Sequence, residues 1–288
     1  MNRKSKGSEK IFDIIIMIIL GVLALMFLFP LINVLASSLS SADAVVAGEV
    51  GLFPQQFTLS GYKEIFKNED IWRGFRNSIL YTLIGTIIQV TCQVLCAYPL
   101  SRKDFKGRKF LNLFLVLTMF VSGGMIPTYL LIQQLHLYNT IWAIILPGCI
   151  SVFNIIVIRT YMQSSIPMEL QEAAMIDGCG DLKIFTRIVL PLCRPIIAVM
   201  ILYAVVGYWN SYFNALMYVQ DSSLYPLQNV LNNILISNQS SVGGGTDVNL
   251  SEQLKYVTIV VSSLPLLVIY PFFQKYFEKG VTIGGIKG

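Results

Sequence analysis

The residues best placed to do chemistry in this chain are not those of a catalyst. Glu172, Ala173, Ala174, Asp177 and Gly178 lie within LQEAAMIDGCGDLKIFTRIVLP, residues 170–191, a polar and hinged interruption of an otherwise apolar sequence. Glu169 and Glu172 put negative charge near the positive end of a helix that Pro167 can begin, and Gly178 and Gly180 supply the left-handed backbone that ends it. Asp181 is expected to cap a second helix over 182–189, with Pro191 as its stop. Leu170, Ala173, Ala174 and Asp177 recur at spacings of three and four, which predicts a small apolar knob edged with acid on one helix face. Such a knob fits a groove on a soluble partner, while an interfacial loop that only returns the chain to a membrane carries the same local signals.

A second constellation is neutral. Asn210 and Asn214 stand one helical turn apart with Tyr208 and Tyr212 beside them. Uncharged hydrogen-bonding groups next to aromatic rings are chemically suited to neutral sugars, so if the chain carries a solute across a membrane these four are candidate residues of its translocation path. Polar side chains in membrane helices also simply bond neighbouring helices, which is the competing reading here and for Gln89 with Gln93. Pro127, after Ile126, frees a backbone carbonyl, as a gate or an ordinary kink would.

Catalytic patterns are missing. There is no Gly-x-Ser-x-Gly elbow, no His-Glu-x-x-His helix and no Gly-rich loop ending in Gly-Lys-Ser/Thr. Gly243, Gly244 and Gly245 lack a following lysine and read as a flexible loop tip. His136 is the only histidine, and the cysteines follow no ligand or redox spacing, so neither a metal site nor a cofactor is expected in this chain.

The elements that must position these residues are membrane helices. Of 288 residues, 55% are hydrophobic and 13% charged, against about a quarter charged in a soluble domain. Apolar runs at 12–36, 77–97, 110–132, 140–158, 195–219 and 256–273 predict six spans, packed as one domain over 1–288. The first run is longer than the apolar part of a cleaved signal, so it is expected to be retained. Arg and Lys collect before the first span, at 102–109, within the loop 163–194 and in the tail 274–288, which places both termini on the cytoplasmic side. The net charge of +5 then reflects topology and lipid contact rather than nucleic acid. No Asp, Glu, Lys or Arg falls inside spans two to six, whereas an ion-coupled carrier needs ionisable groups there. A stand-alone carrier is the different-class alternative, and without it the driving energy must come from another chain.

Glu172-Ala173-Ala174, Gly178, Ile188, Leu190 and Pro191 resemble, position for position, the "EAA" signature of ABC-importer permeases. LFPQQFTLSGY (52–62), FRNSIL (75–80), AYPLSRKDFKGR (97–108), MIPTYLLIQQLHLYNT (125–140), YWNSYFNAL (208–216) and FEKGVTIGGIKG (277–288) extend the resemblance over the chain, to the carbohydrate branch of type I importers, maltose-permease-like. The SGGMIP stretch (122–127) resembles a subgroup associated with complex or uronate-containing oligosaccharides. One departure is Cys179-Gly180, where the family usually has a pair of small residues. The resemblance implies an all-α integral membrane protein with the type I importer permease fold, in a bacterial cell membrane. It implies a second permease subunit, two ATPase subunits holding ATP and magnesium, and an extracytoplasmic sugar-binding protein. Glu172, Ala173, Ala174, Asp177 and Gly178 would then couple to the ATPase. A type I importer for peptides or glycerol phosphates is the alternative within the class.

Overall fold

The computed structural model describes residues 5–121, 123–240 and 248–285. Among these the secondary structure is helical, with no strand. The first, second and last spans are single helices long and apolar enough to cross a membrane, Lys10–Ser38, Glu69–Ser101 and Leu250–Phe272. Their apolar side chains face outward over much of their length, as expected where lipid rather than water is the solvent.

The other spans are broken, which hydrophobicity alone did not foretell. The run 110–132 divides into Arg108–Phe120 and Met125–Gln134, where Val121 turns extended and Gly124 takes φ 86°. The run 140–158 becomes Ile141–Gly148 and Val152–Ser165, bent by 48°. Pro147 lacks the N–H that would continue the first piece, and the Ser151 hydroxyl accepts from the Asn154 N–H to start the second. The run 195–219 was expected as one helix but ends at Trp209, and Phe213–Tyr218 follows after a gap. Its first piece is preceded by Asp181–Leu192, at 77° to it.

The chain forms two compact units, Met1–Glu69 with Leu231–Leu264, and Asp70–Val230 with Pro265–Gly288. In the first unit, side-chain amides tie irregular backbone to helices. Asn33 Nδ2 donates to the carbonyls of Val50 and Gly51, each at 3.0 Å, and the buried Gln253 donates to the Ser40 carbonyl at 2.7 Å. Gly61 lets its helix approach Gln253 and Val257, since a Cβ there would come within 2.9 Å of Val257. In the second unit, one core joins Ile155, Ile158, Met162, Ala174, Ile184, Val189 and Met200. The helix expected from Leu227, Val230, Leu231, Ile234 and Leu235 is present as Leu227–Ser240, with the first three buried. Residues 243–245, Ser122 and the last three residues of the tail lie outside the described residues, as do Arg3 and Lys4.

Candidate functional site: a docking loop and a broken fifth helix

Met168–Ile176 is the first loop helix, with Pro167 at its N-terminal boundary. It closes in a left-handed turn at Gly178, φ 76°. The Gly178 N–H donates to the Met175 carbonyl at 3.0 Å and the Cys179 N–H to the Ala174 carbonyl at 2.9 Å, the paired bonds of a Schellman ending. Gly178 therefore serves its backbone, and a Cβ there would meet nothing within 4 Å.

The knob is arranged differently from its prediction. Ala174 and Gln171 turn inward, Ala174 into the core beside Ile158 and Ile184, while Glu172, Ala173 and Asp177 are exposed. The two alanines thus sit on different faces, because the helix spends its three-residue period on docking to its own core. The outer face gains Ile176, 87% exposed, and across the turn Leu182, 75% exposed. Sequence reasoning missed both, although Ile176 stands three residues after Ala173 and four after Glu172, on the face those residues define.

Asp181 is not a cap. Gly180 occupies the N-cap position, no side chain caps the helix, and the Asp181 carboxylate instead accepts from Arg102 Nη1 at 2.9 Å. Nor does Pro191 stop the second helix. Phe185–Val189 widens into a π turn in which the Leu190 N–H donates to the Phe185 carbonyl, and a last helical turn, Leu190–Leu192, carries the proline at its start. A proline has no N–H and crowds the preceding turn, so a wider turn just before it accommodates the ring without ending the helix.

Arg102, at the end of Glu69–Ser101, is 8% exposed yet fully engaged. Its Nε and Nη2 donate to the two oxygens of Asp104 at 2.9 and 2.6 Å, and Nη1 also reaches the Tyr98 hydroxyl at 3.1 Å. The Asp104 hydrogen bond raises the already high guanidinium pKa and, reciprocally, holds the Asp104 carboxyl below the usual carboxylate range.

The path candidates separate into two kinds. Tyr208 is buried, its ring lies over Gly85, and its hydroxyl donates to the Ile145 carbonyl at 3.0 Å. Ile145 precedes the tight 3-10 turn Leu146–Gly148, at whose end the Cys149 N–H donates to the Leu146 carbonyl. Asn214 donates to the neighbouring Ile144 carbonyl at 3.4 Å. Asn210, by contrast, ends its helix, is exposed, and folds its amide back to the Val206 carbonyl at 2.9 Å. Tyr212 lies in the gap, half-buried, its carbonyl accepting from Asn229. Asn210 and Asn214 do not form one continuous helical face, since the chain leaves the helix between them. Among the described residues, Gln93, fully buried in the second span, has no hydrogen-bond partner for its amide, so the interhelical bond weighed for it is not seen there.

Whole and broken membrane-spanning helices with a two-helix polar loop define a multi-pass membrane protein. The chain belongs to the family of binding-protein-dependent transport system inner membrane components, whose model matches residues 2–283. It is 39% identical over 283 residues to Protein LplC of Bacillus subtilis (strain 168), covering 97% of this chain and 96% of LplC. It is 40% identical over 286 residues to the polygalacturonan/rhamnogalacturonan transport system permease protein YtcP of the same organism, covering 97% and 99%. The crystal structure of a bacterial ABC transporter involved in the import of the acidic polysaccharide alginate contains a chain that superposes with a TM-score of 0.84 at 30% identity, covering 96% of this chain and 99% of that one. The fold is thus the type I importer permease fold. The protein is a transport subunit in a cell membrane, not an enzyme, and works in a complex with other subunits.

Proposed function

We propose that this chain is the permease subunit of an ATP-driven carbohydrate importer, forming half of the translocation path and coupling to an ATPase through the loop 163–194. The observation that carries the coupling role is the exposed ridge of Glu172, Ala173, Ile176 and Asp177, closed by the left-handed Gly178 and flanked by Leu182. Large apolar side chains beside acids, on a polar loop, fit a groove on a soluble partner better than contact with lipid tails. We take 1–288 as one permease domain, because two of the three boundaries of its compact units fall inside Leu227–Ser240 and Val248–Gly285 rather than in linkers.

In this reading both termini are cytoplasmic, and the partners are a second permease subunit, two ATPase subunits that hold ATP and magnesium, and an extracytoplasmic sugar-binding protein. ATP binding closes the ATPase pair and draws the docked loops together. The membrane helices then rock so that the path opens outward, and hydrolysis resets them. Asn210 and the gap around Tyr212 offer hydrogen-bond donors and a ring to a passing sugar, while Tyr208 and Asn214 hold the broken fourth span in register. The names of YtcP and of the alginate importer favour uronate-containing oligosaccharides as the cargo class.

The test is to purify the complex with its co-expressed partners and measure ATP hydrolysis with binding protein loaded with oligogalacturonides. Stimulation that requires the loaded binding protein is expected, with the retained sugar identified by mass spectrometry. Stimulation by peptide or glycerol phosphate instead would redirect the substrate assignment, and solute uptake by the lone chain in liposomes would overturn the importer reading.

A further inference from the structure

Two segments distant in sequence meet at one guanidinium. Arg102 ends the second membrane helix, Asp104 lies in the loop that follows it, and Asp181 begins the second helix of the coupling loop. Both Asp104 oxygens are engaged by Nε and Nη2, a two-pronged contact that fixes the plane of the group. With that plane fixed, Nη1 is aimed at Asp181 at 2.9 Å, and Nη2 also lies 3.8 Å from the Met175 sulfur at the end of the first loop helix. Further down the same junction, Gln163 donates to the Ser101 carbonyl at 3.2 Å. The Tyr98 ring stacks against Arg102 on one side, 5.9 Å from its centre, and packs on Phe185 at 4.8 Å on the other. Phe185 opens the π turn, so the clamp packs on the loop helix where that wider turn begins.

We propose that Arg102 is a positioning residue of the transport cycle: clamped by Asp104, it holds Asp181 and thereby makes the coupling loop and the second membrane helix move as one piece. A displacement that reaches the second loop helix at Asp181 is then passed directly to the end of Glu69–Ser101. The division of labour follows from the geometry. Asp104, two residues away, orients the guanidinium, and Asp181, 77% exposed, is the coupling end. Lysine cannot replace arginine in this role, since a single ammonium lacks the fork that engages Asp104 and Asp181 together.

The inference rests on the reading of 163–194 as the coupling loop, and the experiment separates the two. Hydrogen–deuterium exchange is followed in the full complex with its ATPase subunits in lipid nanodiscs, with and without ATP and magnesium, for the wild type, Asp181→Asn and Arg102→Lys. In the wild type, nucleotide is expected to change exchange over both 168–192 and 98–108. Asp181→Asn leaves Arg102 paired with Asp104, so folding is preserved. It is expected to keep the nucleotide response of 168–192 while the response of 98–108 falls at least threefold. Arg102→Lys is expected to lose the response of 98–108 to the same extent as Asp181→Asn, since an ammonium cannot engage both carboxylates. A merely structural contact would raise exchange over 98–108 without nucleotide and leave the nucleotide-dependent difference intact. That result, or an unchanged response in Asp181→Asn, overturns the positioning role while the coupling-loop reading stands. A wild-type complex whose 168–192 segment does not respond to nucleotide overturns both.

Discussion

Replacing Gly178 separates what the loop needs for its own shape from what it presents to a partner. At φ 76° an L-residue suffers a clash between Cβ and its own backbone that costs about 1–2 kcal/mol, whereas asparagine tolerates this region comparatively well. Around 1.4 kcal/mol is a tenfold change in an equilibrium, so Gly178→Ala is expected to weaken the Schellman ending by roughly tenfold without unfolding the membrane helices. A Cβ at this position meets nothing within 4 Å, so alanine adds backbone strain without a clash. Gly178→Asn, Gly178→Ala and Gly178→Trp therefore form a graded series. The assay is ATP hydrolysis by the purified complex, stimulated by loaded binding protein, alongside the thermal midpoint of the complex. Asparagine is expected to be nearly neutral, alanine to lower stimulation several-fold, and tryptophan to abolish it with a thermal midpoint close to that of alanine. Full stimulation in Gly178→Trp would refute the reasoning, since it would mean that nothing docks over this turn.

Other outcomes follow from the same geometry. Gly85→Ala drives a methyl group to 2.6 Å from the buried Tyr208 ring, and overpacking of this kind costs about 1–3 kcal/mol, visible as a lower thermal midpoint. Tyr208→Phe removes only the hydrogen bond to Ile145, worth about 1 kcal/mol, and is expected to leave the half-saturation concentration for sugar uptake unchanged. Asn210→Ala is expected to do the reverse, raising that half-saturation concentration with little change in stability, because the side chain is exposed and bonds only within its own helix end. Asp104, whose folded pKa lies below its ordinary value, contributes stability that is fully present above about pH 4 and is lost as pH falls through the lower folded value. Exchange over 98–108 is accordingly expected to be flat from pH 8 to 5 once corrected for intrinsic rates, and to rise only in stronger acid.

The sequence was legible where one physical rule dominates. Six apolar runs announce six spans because lipid imposes both length and composition, and Gly178 announces a helix end because little else takes its backbone angles. It was less legible where tertiary contacts decide. The breaks at 121–124 and 210–212 fall in apolar or mixed stretches whose hydrophobicity is that of an unbroken helix, so window averages pass over them. Ala173 and Ala174 have the same chemistry, and only the core beside Ile158 and Ile184 assigns one inward and the other outward. Asp181 has the local credentials of a cap, but an arginine far away in sequence competes successfully for its carboxylate. The bond from the Tyr208 hydroxyl to the Ile145 carbonyl was not legible either, because its acceptor lies 63 residues away in another span.

The central claim is that the ridge formed by Glu172, Ala173, Ile176 and Asp177 seats on an ATPase subunit. The most direct measurement places a photo-crosslinking amino acid at Ile176 in cells expressing the whole complex, with a second at the outward-facing Ile14 of the first span as the control. The account predicts an adduct between position 176 and an ATPase subunit, identified by mass spectrometry, and none from position 14. Absence of that adduct at 176, or equal labelling from both positions, would contradict it.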